Sequence, residues 1–127
     1  MRKVIIIRKK KLASAVMPYW IITNSSKKAF MLQHGFETDF TRHKWNGQAV
    51  SRIDICELDM IGNRIRNGET IELLMDDSEC SLFACSADGS LSNEVTIGEY
   101  TTNPITVILT TKGGWRTVSY PFLIPSI

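Results

Sequence analysis

Apolar and polar positions alternate in short runs along most of this chain, and turn-forming residues separate the runs. Val4 to Arg8 is dense in β-branched residues, and Tyr19 to Thr23 reads as a second strand. Asn24, Ser25, Ser26 and the Lys27-Lys28 pair then read as a connection, with Ala29 to Gln33 as a partner strand. From Val50 onward Ile53 and Ile55 alternate with Asp54, and Cys56, Leu58 and Met60 alternate with Glu57 and Asp59. The single phase slip at Ile55-Cys56 fits a β-bulge, with an amphipathic helix through Val50, Ile53 and Glu57 as the alternative.

The second half repeats the rhythm more clearly. Asn67-Gly68 lies between Arg64 to Arg66 and Thr70 to Met75 and predicts a hairpin, because both turn residues tolerate positive φ. Asp76-Asp77-Ser78 closes that strand, Cys80 to Ala87 forms the next, and Asp88-Gly89 turns the chain again. Glu94 to Ile97 and Ile105 to Thr111 follow, with Pro104 where a strand begins and its missing N–H costs little. Gly113-Gly114 leads into a last strand, Trp115 to Phe122. The inventory is about eight to ten short strands with no long helix. It predicts an all-β fold: an antiparallel two-sheet β-sandwich, immunoglobulin-like or jelly-roll-like, with one irregular insertion at 34–49.

The stretch Gly62 to Leu73, with its Asn67-Gly68-Glu69 turn and the preceding Leu58-Asp59, resembles the repeated theme of small bacterial β-rich modules of the PEGA-like kind. The resemblance covers about a tenth of the chain. It implies a small accessory or surface-interaction sandwich and transfers no catalytic residue.

With 127 residues, 43% of them hydrophobic and 22% charged, the chain is expected to form one domain, residues 1–127, with a packed core. The net charge of +2 hides an asymmetry that changes the picture. Arg2, Lys3, Arg8, Lys9, Lys10 and Lys11 supply six of the fifteen basic residues, and the rest of the chain carries nine bases against thirteen acids. Arg8 to Lys11 are therefore candidates for contact with nucleic acid or an anionic membrane, weighed against an ordinary solvated hairpin end. Lys9 to Lys11 followed by Leu12 to Thr23 imitates a secretory leader, but Ser14 and Pro18 interrupt the apolar run and no small-x-small cleavage site follows. Cys56, Cys80 and Cys85 are odd in number and form no CxxC pair. Both features point to the cytoplasm.

Candidate chemistry is sparse. His34, Glu37, Asp39 and His43 are the one constellation with metal-ligand side chains, but its spacing matches no HExxH-like signature, and a solvated loop accounts for it as well. Asp54, Glu57 and Asp59, with Asp76, Asp77 and Glu79, could supply paired carboxylates. Their alternation with apolar residues and their turn context favour a solvent face instead, and EF-hand spacing is absent. There is no GxSxG, GxGxxG or P-loop sequence, so neither an enzyme nor a cofactor is expected. By alternation Trp115, Thr117 and Ser119 share one strand face, and Trp45 lies beside Asn46-Gly47 in the insertion. An exposed indole at Trp115 or Trp45 could stack on a sugar or pack into a partner, so Trp115, Thr117 and Trp45 are candidate ligand contacts. The leading expectation is a non-enzymatic binding module for a protein or glycan. Anionic-surface contact through the basic segment and a metal-dependent enzyme at His34 and His43 are the alternatives.

Overall fold

The computed structural model describes residues 2–11, 17–33, 55–86, 91–100, 103–113 and 120–126. It is a β-sandwich, as the alternation predicts. The strands are β1 (Arg2–Arg8), β2 (Tyr19–Thr23), β3 (Gly62–Ile65), β4 (Thr70–Met75), β5 (Ser81–Cys85), β6 (Val95–Thr96), β7 (Ile105–Lys112) and β8 (Tyr120–Ser126). One sheet has the order β4-β1-β7-β8 and the other β3-β2-β5-β6. Every pairing is antiparallel except β1 with β7, which run parallel with Val4 beside Ile105 and Arg8 beside Leu109.

The core between the sheets is built by period-two burial. Val4 and Ile6 of β1 and Ile105, Val107 and Leu109 of β7 face Tyr19 and Ile21 of β2 and Leu82 and Ala84 of β5, all at most 2% exposed. In β2 and β5 the alternate residues are buried as well. Trp20, Ile22, Phe83 and Cys85 form a second apolar cluster on the outer face of their sheet, with Leu58, Ile55 and Ile61 over it. Those three come from a helix, α2 (Ile55–Ile61), and a second helix, α1 (Asn24–Gln33), lies against β2 and β5. The molecule is thus a sandwich with a helical roof on one side.

Both helices correct the sequence reading. Asn24 to Lys28 is no connection, and Ala29 to Gln33 no strand. Asn24, Ser25 and Ser26 open a helix, where short polar side chains satisfy free N–H groups. The Thr23 hydroxyl donates to Ser26 Oγ at 3.2 Å, and Glu79 accepts from the Ser25 amide at 3.2 Å and from its hydroxyl. The strand expected from residue 50 to 60 is, over its described part, α2. Ile55, Leu58 and Ile61 recur at three-residue steps and share one face, so the slip at Ile55-Cys56, which the alternative helical reading allowed for, belongs to a helix rather than a bulge. The roof also explains why β2 reads as an unbroken apolar run.

The Asn67-Gly68 turn forms, with Gly68 at φ +77° and the Glu69 amide donating to the Arg66 carbonyl at 3.0 Å. It is not a hairpin. β3 pairs with β2 and β4 with β1, so the turn carries the chain from one sheet to the other. The segment expected as a strand at Glu94 to Ile97 pairs only at Val95–Thr96 before a 3₁₀ turn, Ile97–Glu99.

The free side of β8 is closed by chemistry. The Leu123 amide donates to Asn93 Oδ1 at 2.8 Å, and Asn93 Nδ2 donates to the Leu123 carbonyl at 2.9 Å. One side-chain amide therefore occupies both backbone groups that Leu123 turns away from β7. By strand alternation Pro121 and Pro125 turn the same way, and neither has an N–H.

Candidate functional site

Parallel pairing of β1 and β7 brings their carboxyl ends to one end of the sandwich, beside the turn between β3 and β4. The basic segment is tied down there. The Lys9 amide donates to the Leu109 carbonyl at 2.9 Å, the Lys11 amide to Asn67 Oδ1 at 2.9 Å, and Lys11 Nζ to the Thr111 carbonyl at 3.4 Å. Lys9, Lys10 and Lys11 are exposed, as are Arg66 and Lys112 nearby. The Glu69 carboxylate at this end accepts from the Arg66 amide at 3.0 Å.

Arg8 departs from its expected role as an anion contact. It is 2% exposed and points into the sandwich. One guanidinium nitrogen donates to the Ile65 carbonyl at 2.8 Å and another to the Met17 carbonyl at 2.7 Å, and the group lies 4.2 Å from the centre of the Tyr19 ring. Burial lowers its pKa from the usual arginine value, and Tyr19 partly offsets this. Arg8 joins β1 to the end of β3 and to the approach to β2. It fell on the inward phase with Val4 and Ile6, a signal visible in the sequence once the strand is placed.

The outer face of the β4-β1-β7-β8 sheet has no helical cover among the described residues. Register places Leu74 beside Lys3, Ile5 beside both Glu72 and Thr106, Ile7 beside both Thr70 and Ile108, and Ile108 beside Ile124. Leu74 is 67% exposed, Ile124 41% and Ile7 39%, with Ile5, Ile108 and Phe122 half-buried among them. Lys112 Nζ sits 3.7 Å over the Phe122 ring at one rim, and Lys3 pairs with Glu72 at 3.8 Å at the other. Sequence reasoning missed this face because Val4 to Ile7 is apolar on both phases, and strand order alone shows which phase is left uncovered.

Two of the acidic side chains are held in local structural contacts. Asp59 accepts from Trp20 Nε1 at 2.8 Å and from Arg64 at 3.1 and 2.7 Å. The indole hydrogen bond first, then Arg64, holds its carboxyl below the usual range. Asp76 caps its own turn, accepting from the Ser78 amide at 3.1 Å and hydroxyl at 3.2 Å, and its pKa is lowered by those bonds. Beside this turn a cleft of about 180 Å³ lies between Arg2 and Ile97, smaller than the roughly 300 Å³ of small-molecule sites. Arg2 is engaged there, donating to the carbonyls of Ile97 at 3.1 Å and Tyr100 at 2.6 Å.

His34, Glu37, Asp39, His43, Trp45, Trp115 and Thr117 lie outside the described residues, as do Asp54 and the 34–49 insertion. Among the described residues no three His, Cys, Asp or Glu side chains are grouped to hold a metal ion. Cys56 and Cys80 are exposed, and Cys85 is buried. No helix among the described residues is long and apolar enough to cross a membrane. The fold and these surfaces define a roofed β-sandwich with one sheet face that no described helix covers. No family model, curated protein or solved structure matches the chain.

Proposed function

We propose that this chain is a non-enzymatic binding module that engages a protein partner through the outer face of the β4-β1-β7-β8 sheet. The observation that carries this reading is the contrast between the two outer faces. One is roofed by α1 and α2, while the other leaves Ile7, Leu74 and Ile124 in water. Contiguous exposed aliphatic surface rimmed by charge is the usual mark of an interaction site. The exposed large apolar residues of the face, Ile7, Leu74 and Ile124, are aliphatic, and the Phe122 ring is half-buried under Lys112. This suits a protein surface better than a sugar ring, whose usual platform is an open aromatic plane.

The test is affinity capture with the unmodified chain and with an Ile7→Lys/Ile124→Lys double variant shown by circular dichroism to keep its fold. Proteins retained by the first and lost by the second are the expected result. Identical retention by both would remove the open face from the account.

A second reading is favoured by the clustering of Lys9, Lys10 and Lys11 with Arg66 and Lys112 at one end. It makes that end a contact for polyanions such as nucleic acid. Binding to a mixed-sequence DNA duplex should then fall steeply with salt, with a log–log slope of roughly three to five. Neutralising Lys9, Lys10 and Lys11 to glutamine should abolish it, whereas salt-independent binding would count against it.

A further inference from the structure

The two ends of the β4-β1-β7-β8 sheet are treated differently. At β8, Pro121, the Asn93 clasp on Leu123, and Pro125 leave no unsatisfied N–H among the residues that alternation turns outward. At β4 nothing comparable is present among the described residues. The Arg8 amide donates to the Glu69 carbonyl, which fixes residues 69, 71, 73 and 75 as those bonding to β1. Thr70, Glu72 and Leu74 therefore turn their N–H and C=O groups away from the sheet. All three are exposed.

Two further observations indicate what fits this edge. Ile71 and Leu73 face inward and pack on the core, yet both are only half-buried, and β4 is the last strand of the described sheet on that side. From Glu69 to Glu79 the chain carries Glu69, Glu72, Asp76, Asp77 and Glu79 and not one basic residue. A strand added there would complete the burial of Ile71 and Leu73 with every second side chain. Its other side chains would lie opposite Glu72 and near Asp76 and Asp77.

From this we infer that β4 is a docking edge for an extended segment of a partner protein that alternates apolar and basic residues, bound by β-strand addition. Backbone hydrogen bonds to Thr70, Glu72 and Leu74 hold the segment, its apolar row extends the core, and its lysine or arginine row meets the acids. Glu72 disfavours an acidic segment, since like charges directly opposite destabilise a strand pair. A second copy of this chain is disfavoured for a related reason: antiparallel pairing centred on Glu72 sets two carboxylates face to face. The inference does not rest on the open-face reading, because an edge can be occupied whether or not the face is.

The experiment uses capped seven-residue peptides of alternating lysine and valine, with glutamate replacing lysine in a control, titrated into the full chain. Binding is read by chemical shift and by amide hydrogen exchange. The lysine peptide should bind at least about tenfold more tightly than the glutamate peptide and slow exchange at Thr70, Glu72 and Leu74 at least about tenfold. Glu72→Pro places in β4 the device that β8 already carries and should abolish the protection. Thr70→Pro is the second variant should the first fail to fold, and exchange on the unmodified chain decides the matter if neither folds. No binding, equal binding of both peptides, or binding without protection of those three amides would each overturn the inference. So would protection that grows with protein concentration in the absence of peptide, because the edge would then belong to a second copy. Ile7→Lys/Ile124→Lys should leave the peptide's binding in place, separating this edge from the open face.

Discussion

Arg8 shows how one phase assignment decides between a ligand contact and a structural tie. Read with Lys9 to Lys11 it is a cation beside three others; placed in β1 it shares the inward side with Val4 and Ile6 and donates to two carbonyls across the sandwich. Arg8→Met should cost about 3 kcal/mol or more in urea unfolding, since the bonds lost come from a charged donor and leave buried carbonyls unsatisfied. Lysine should recover only part of that, because it has no fork to reach both carbonyls while stacking on Tyr19. Asp59 makes a separate, pH-dependent contribution. Its folded pKa is depressed by Trp20 and Arg64, so the stabilisation is fully present above the ordinary carboxylate value of about 4 and is lost as pH falls through the lower folded value. Melting curves of the unmodified chain should therefore drop in that acid window. Asp59→Asn should be less stable at neutral pH and show a smaller drop in acid, while an identical acid response in both would sink the assignment.

At the scale of the element, the strands that pack on one face were readable and the helices were not. β1, β4 and β7 lie where apolar density and alternation place them, because one side of each meets the core, and β5, buried on both sides, lies where its continuous apolar run places it. α2 stood only as the alternative to a bulged strand, because Ile55, Leu58 and Ile61 fit a slipped strand nearly as well as a helix face. α1 escaped because Asn24-Ser25-Ser26 opens a turn or a helix with equal chemistry. The Asn67-Gly68 turn was readable as a turn, but its destination was not, since turn residues state a local bend and strand order is a long-range fact. Of the candidate sites, the lysine cluster was legible as a charge run; the open face and the free edge depend on which strands are neighbours, which one sequence does not state. Leu58→Ala, beneath α2, should cost about 2–5 kcal/mol by chemical denaturation. Gly62→Ala should also destabilise, because its new methyl would lie 2.7 Å from Ile22 Cγ2 and 2.8 Å from the Ile21 carbonyl oxygen, in the rigid seam between β3 and β2. A Gly62→Ala chain as stable as the original would mean that seam opens freely.

At the scale of the molecule, charge and shape are both unevenly distributed. Among the described residues, bases gather where β1 and β7 end, acids gather along β4 and the turn beyond it, and one broad face carries a helical roof that the other lacks. A net charge of +2 thus conceals local concentrations of both signs. The parallel pairing of β1 with β7 bears on how such a molecule comes into being. β1 is an interior member of its sheet, and one of its two neighbours, β7, lies about a hundred residues further along the chain. Closing so distant a contact is slow relative to forming local turns. A nascent chain therefore holds the isoleucine-rich β1 without a finished sheet until β7 has followed it, the interval in which a chaperone would find it.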